Sequence, residues 1–225
     1  MILQDKISIG VFASGTGTNA RNIFDTGKIF ENSISIACLV TDNPGAPVLE
    51  IARLFGIPHV VIPFYRNGFA SYKDAKMNHE ERIISALSRF SIDWILLAGY
   101  MRILSEYFIS RFTDEKTGFA RIVNIHPSLL PAFPGKNSYQ DAFNANVSVS
   151  GATIHLVTPE IDSGPIILQH PIQRKPDDSF LDFKNRGMEN EYELYGKLLQ
   201  LLAKSESEIF NIAKNQEISC GTPSV

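Results

Sequence analysis

Cysteine is scarce in this chain: Cys38 and Cys220 are the only two in 225 residues, too few for a disulfide framework. Neither has a metal-ligand neighbour at short spacing, and the five histidines are scattered, so no metal is expected. Charge of one sign is missing as well. Lys and Arg number 21 against 24 Asp and Glu, a formal net charge of -3. Such a surface has no bulk attraction for nucleic acid or an anionic membrane, and neither is expected as a partner. No apolar run is long enough to cross a bilayer, and the opening residues have no signal-peptide profile, which predicts a cytoplasmic protein. Repeats, linkers and low-complexity tracts are absent. No serine or cysteine stands in a nucleophile-elbow context, so a covalent acyl-enzyme is not indicated.

What is present is a strongly patterned core, with 44% of residues hydrophobic. Apolar strand-like runs alternate with helix-like segments. Strands are expected over residues 6–13, 33–40, 59–62, 93–98 and 121–124, and helices over 19–26, 48–55, 72–90 and 105–112. That order predicts an α/β fold: a Rossmann-like, open, mostly parallel twisted sheet with helices on both faces. From Ala152 the pattern changes. Two runs, 153–157 and 165–172, are separated by a short loop and predict an antiparallel C-terminal addition, closed by a helix over 181–204. One domain, residues 1–205, is expected, followed by a polar tail, 206–225, whose last residues fray. Cys38, inside the second apolar run, reads as a buried thiol.

Two stretches offer chemistry: Asn124-Ile-His126-Pro-Ser-Leu-Leu-Pro131, and Gly151-Ala-Thr-Ile-His155 running on to Ile161-Asp162-Ser-Gly164-Pro165. A carboxamide, an imidazole and a carboxylate suit acyl transfer to an amine. The amide N–H can donate to the oxyanion of a tetrahedral intermediate. The imidazole can take or hold a proton near neutral pH. A carboxylate can orient the imidazole and raise its pKa, so Asp162 is expected to extend the protonated form of His126 toward neutral pH. The residues alone also allow a plainer reading, in which His126 caps a turn and Asp162 opens a loop. Ser14-Gly15-Thr16-Gly17-Thr18-Asn19 follows the first strand and opens a helix, where unpaired N–H groups and the helix dipole favour an anion. It is neither a complete dinucleotide fingerprint nor a Walker loop, and taken alone it fits a phosphate cradle or a tight turn equally. Tyr100-Met-Arg-Ile-Leu104 lies past the fourth strand, at the carboxyl edge where open α/β sheets bind ligands.

These blocks, with Ile9-Gly-Val-Phe-Ala-Ser-Gly15 and Leu97-Ala-Gly-Tyr-Met-Arg102-Ile-Leu104, occur in one order over about residues 7–202, and in that order the chain resembles the folate-dependent formyltransferases. The resemblance is strongest to the branch that acts on glycinamide ribonucleotide (GAR). It implies transfer of a formyl group from 10-formyltetrahydrofolate, a co-substrate, to the GAR amine in purine (IMP) biosynthesis, with small molecules as partners and a monomeric or homodimeric enzyme. It implies Asn124, His126 and Asp162 as catalytic residues, His155 as support, and Gly17, Thr18 and Asn19 as the phosphate site. Met101, Arg102, Ile103 and Leu104 map to the folate pocket, with Val157 and Glu160 on its other wall. Glu191 maps to a glutamate that binds the ribose hydroxyls, although Glu189 and Glu193 compete for that role. Whether His126 acts as base or as electrostatic stabiliser stays open. The chain departs from relatives at Lys136-Asn-Ser-Tyr139, where histidines are frequent.

Three rivals remain at this level. A formyltetrahydrofolate hydrolase would use water as acceptor, but that family carries an N-terminal regulatory domain for which no room is expected here. A methionyl-tRNA formyltransferase would add a basic C-terminal domain, and the chain is slightly acidic. A non-catalytic nucleotide-binding or dehydrogenase-like module would need an acidic residue after the second strand, for which Asp42 is the candidate.

Overall fold

Parallel strands covered on both faces are apolar where they are buried, and the first strand of the computed structural model, which describes residues 6–220, is so from Ile9 to Phe12. In β1 (Ile7–Phe12), Ile9, Val11 and Phe12 have no exposed surface. The chain divides into two compact units, Met1–Ile122 and Val123–Val225. In the first, β1 pairs in parallel with β2 (Ile34–Thr41) and β4 (Trp94–Leu97), and β2 with β3 (His59–Val61). Around them run α1 (Thr18–Ile29), α2 (Val48–Phe55), α3 (Tyr72–Leu87) and α4 (Glu106–Ser110). Helix α3 starts where Ser71 and Asp74 form a reciprocal capping box, which satisfies two amides that a helix start leaves open.

The second unit contains β5 (Ile122–His126) from its second residue on, α5 (Ser138–Asn144), β6 (Val149–Leu156), β7 (Ile166–Gln173), α6 (Phe180–Lys204) and α7 (Glu206–Cys220). Strands β5, β6 and β7 are joined antiparallel, as the changed pattern after Ala152 predicted. A second capping box, Ser179 with Asp182, opens α6, whose Leu194, Leu198 and Leu202 recur every fourth residue and are buried. The seven strands form one open, mostly parallel sheet in the order β3-β2-β1-β4-β5-β6-β7. No helix among the described residues is long and apolar enough to cross a membrane.

Several boundaries differ from expectation: α1 runs to Ile29 rather than Thr26, and α4 is shorter at both ends, Glu106–Ser110. Helix α3 ends at Leu87 rather than Phe90, because residues after Ser88 fold into a turn in which the Phe90 amide bonds the Leu87 carbonyl. Strand β5 continues through His126, and β6 begins at Val149. Residues 206–220, read as a tail, form α7, with Ile209, Phe210 and Ala213 buried along one face. The expected fraying of Gly221 to Val225 lies outside the described residues. Cys38 is fully buried, and burial pushes its thiol up to about 12.

Candidate active site

The extension of β5 to His126 decides the geometry. Residues two apart on a strand point to one face, so Asn124 and His126 are presented together. On the antiparallel neighbour β6, His155 stands directly opposite Asn124 and Thr153 opposite His126. The Asn124 Nδ2 lies 3.2 Å from His155 Nε2. The other ring nitrogen, Nδ1, is 2.9 Å from the Leu156 carbonyl, which can only accept. In the neutral tautomer that these partners select, His155 donates from Nδ1 and accepts the Asn124 amide at Nε2. The carboxamide is thereby oriented with Nδ2 toward the imidazole, and its second N–H is not needed for that bond.

Asp162 sits in the turn after β6 with φ 52, a left-handed conformation that aspartate tolerates better than most residues. Its Oδ2 accepts the Gly135 amide at 2.8 Å and lies 3.3 Å from His126 Nδ1, while Oδ1 is 3.7 Å from His155 Nε2. His126 Nε2 donates to the Phe133 carbonyl at 2.8 Å. Phe133 also has a positive φ, 53, rare for a bulky side chain, and it turns its carbonyl to the imidazole. His126 is therefore held between two acceptors, a carbonyl and a carboxylate. A neutral ring can satisfy only one of them; a protonated ring satisfies both.

Burial opposes that protonation. The His126 pKa lies below its ordinary value: burial lowers it most, the Phe133 carbonyl and the Asp162 charge raise it, and His155 lowers it further. The expectation that Asp162 keeps His126 protonated toward neutral pH is thus corrected. Asp162 pushes in the expected direction, but desolvation of a ring with 4% side-chain exposure outweighs it. For Asp162 the balance goes the other way. Burial would raise its pKa, yet the adjacent His155, the Gly135 hydrogen bond and the His126 charge together hold it below the usual carboxylate value.

In the first unit, Gly17 occupies the N-cap of α1 with φ 78, and no side chain caps that helix. A Cβ at Gly17 would stand 2.4 Å from Val48 Cγ2, so only glycine fits. Thr18 is exposed and Asn19 half-buried at the helix start. The loop after β4 exposes Met101 (69%) and Ile103 (57%) while Leu104 is buried in the core. Arg102 lies over the Phe64 ring and donates from Nε to Asp42 Oδ2 at 2.7 Å. Ser14 donates to Asp42 Oδ1 at 2.6 Å and accepts the Met101 amide. Burial would raise the Asp42 pKa, but the bonds from Ser14 and Arg102 and the guanidinium charge hold it down. Asp42, the ribose candidate of the dehydrogenase-like rival, already has both carboxylate oxygens engaged.

Of the remaining candidates, Val157 is half-buried and Glu160 exposed in the turn before Asp162, where the Glu160 carbonyl accepts Thr158 and Ser163 hydroxyls. Glu189 and Glu193 are exposed, whereas Glu191 is buried and accepts the Tyr139 phenol. Lys136 is exposed. Among the described residues no group of three His, Cys, Asp or Glu side chains is arranged to hold a metal ion. The residues missed in the sequence are Phe133 and Gly135, which act through backbone atoms; Asp42 is predicted only as a ribose candidate, whereas its work is to fix Arg102. The signal available for the first two was the turn composition Phe133-Pro-Gly135.

The family model described as formyl transferase matches residues 7–199. Phosphoribosylglycinamide formyltransferase of Haemophilus influenzae is 36% identical over 187 residues, which span 83% of this chain and 82% of that protein. The solved glycinamide ribonucleotide transformylase 1 of Geobacillus kaustophilus matches with a TM-score of 0.78 at 38% identity, covering 88% of this chain and 100% of that one. The Streptococcus pneumoniae phosphoribosylglycinamide formyltransferase gives 0.75 at 35% identity, with 87% and 98% covered. A formyltetrahydrofolate deformylase of Pseudomonas syringae, 23% identical with a TM-score of 0.76 over 89% of this chain and 62% of that one, shares the fold. With its sheet, its Asn124, His126 and Asp162 group and these relatives, the chain belongs to the formyl transferase family.

Proposed function

We propose that the chain transfers the formyl group of 10-formyltetrahydrofolate to the amine of GAR, a step of purine biosynthesis. The observation that carries the chemistry is the group formed by Asn124, His155, Asp162 and His126 on β5, β6 and the following turn. The amine nitrogen attacks the formyl carbon and the carbonyl oxygen becomes an oxyanion. The Asn124 amide, oriented by His155, donates to it. The C–N bond to N10 of the folate then breaks, and the proton lost by the amine reaches N10. His126, neutral at rest, takes up that proton in passing and gains its bond to Asp162 as it does so. Its charge also stabilises the oxyanion.

The uncapped, glycine-opened start of α1, with Thr18 and Asn19, is read as the phosphate site. Exposed Met101 and Ile103 beside Arg102 suit the flat pterin, with Leu104 contributing through its backbone; Val157 and Glu160 are read as further folate contacts. Glu191 is read as the ribose ligand. The reading includes a cytoplasmic enzyme, monomer or homodimer, that uses no metal. The acceptor decides between this and hydrolysis, and the assay is donor turnover with GAR present and omitted. Turnover that depends on GAR supports transfer; turnover unchanged without it makes water the acceptor.

A further inference from the structure

Tyr139 lies on α5, and its ring fills a notch in α6. At Gly187 a Cβ would lie 2.2 Å from the ring Cε1 and 2.6 Å from the phenol oxygen, so glycine makes the place the ring occupies. Four residues earlier on the helix, Phe183 meets the same ring edge-on, with centroids 6.3 Å apart at 89°. Four residues later, the Glu191 carboxylate accepts the phenol O–H. Residues spaced by four share a helix face, so Phe183, Gly187 and Glu191 form a track along which the tyrosine lies. Glu191 is 7% exposed, unlike its two glutamate neighbours. Burial and the Glu191 charge push the phenol pKa up, which keeps Tyr139 a donor. An ionised carboxylate has about four acceptor positions, so the phenol bond orients it without by itself excluding hydroxyl donors.

We propose that Tyr139 is a positioning residue for nucleotide recognition: seated on Gly187, it anchors the Glu191 carboxylate in the orientation that receives the vicinal hydroxyls of a ribose. This rests on the reading of Glu191 as the ribose ligand. A charge-assisted hydrogen bond used in this way sets nucleotide affinity rather than the chemical step.

Tyr139→Phe keeps the ring in its notch and removes only the hydroxyl. The KM for GAR, and its Kd by calorimetry, should rise about tenfold, while kcat and the folate KM stay within about twofold. In a Glu191→Gln background the same change should have no further effect, because the partner is already lost. Gly187→Ala keeps the hydroxyl but displaces the ring, and should raise the GAR Kd by a similar factor, so the proposal does not hang on one variant. If Glu191→Gln weakens GAR binding while Tyr139→Phe and Gly187→Ala leave it unchanged, the positioning role is overturned and the ribose reading stands. If Glu191→Gln itself leaves GAR affinity unchanged, the ribose reading fails, and the proposal with it.

Discussion

Asp162→Asn separates charge from shape. Oδ2 makes both the Gly135 and the His126 contacts, so with the amide oxygen in that place the variant keeps the Gly135 N–H bond and the form of the turn, while the amide nitrogen takes the Oδ1 position on the His155 side. What is lost is a negative charge 3.3 Å from a ring that becomes positive during the reaction. At an effective dielectric of about 20, two unit charges at that distance attract by about 5 kcal/mol, which bounds the effect from above. Charge-assisted hydrogen bonds give about 1.5–3 kcal/mol in practice. The expected fall in kcat is therefore about ten- to 150-fold, at about 1.4 kcal/mol per tenfold. Because Asp162 raises the His126 pKa and burial lowers it, the variant should have an even lower His126 pKa. The acid limb of the kcat profile, which belongs to coupled groups, should move to lower pH. Nucleotide affinity should stay within about twofold, since the residues read as the phosphate site are untouched. The assay is single-turnover formyl transfer across pH 5–9 with a separate GAR titration (about one point per half unit suffices to place the limb). Full activity with an unshifted limb would refute the reasoning and leave Asp162 as a turn residue.

Three further outcomes follow from the geometry. Asn124→Ala removes the carboxamide that His155 orients and should reduce single-turnover transfer on the order of 100- to 1,000-fold; a near-normal rate with chemistry limiting would remove Asn124 from the oxyanion role. Gly17→Ala meets both a left-handed backbone and Val48, costing about 2 kcal/mol or more, which a thermal melt should show as a Tm lower by about 4 °C or more; an unchanged Tm would contradict the packing. Cys38, fully buried with its thiol pushed up to about 12, should react with a thiol reagent at pH 8 roughly a thousandfold more slowly in the native than in the unfolded protein. Peptide mapping reads this directly, and equal rates would show that the second strand is not buried.

The alternating core was legible because fully buried parallel strands leave unbroken apolar runs such as Trp94-Ile-Leu-Leu97, which admit few other readings. The ends were harder. Val149 to Ala152 contains Ser150 and Gly151, weak strand formers, and only pairing with β7 makes them strand. Helix α7 was hidden because most of its residues are polar, and Ile209, Phe210 and Ala213 gain their meaning from burial in the fold. The side-chain members of the candidate site could be named from their motifs, but not its electrostatic balance. That His126 is lowered overall depends on how much water the ring loses, and the sequence carries no such information. Glu191 could not be separated from Glu189 and Glu193 by sequence either, since all three lie within four residues on one helix and only burial distinguishes them.

Transfer and hydrolysis differ in whether the formyl carbon ends on the amine of GAR or on water. The most direct measurement is a single turnover with enzyme in excess, using 10-formyltetrahydrofolate labelled with carbon-13 in the formyl group, and mass analysis of the nucleotide and of free formate. Formyl transfer to GAR gives labelled N-formylated nucleotide in an amount matching the donor consumed, with little labelled formate. Label appearing as formate at the same rate whether or not GAR is present would contradict it.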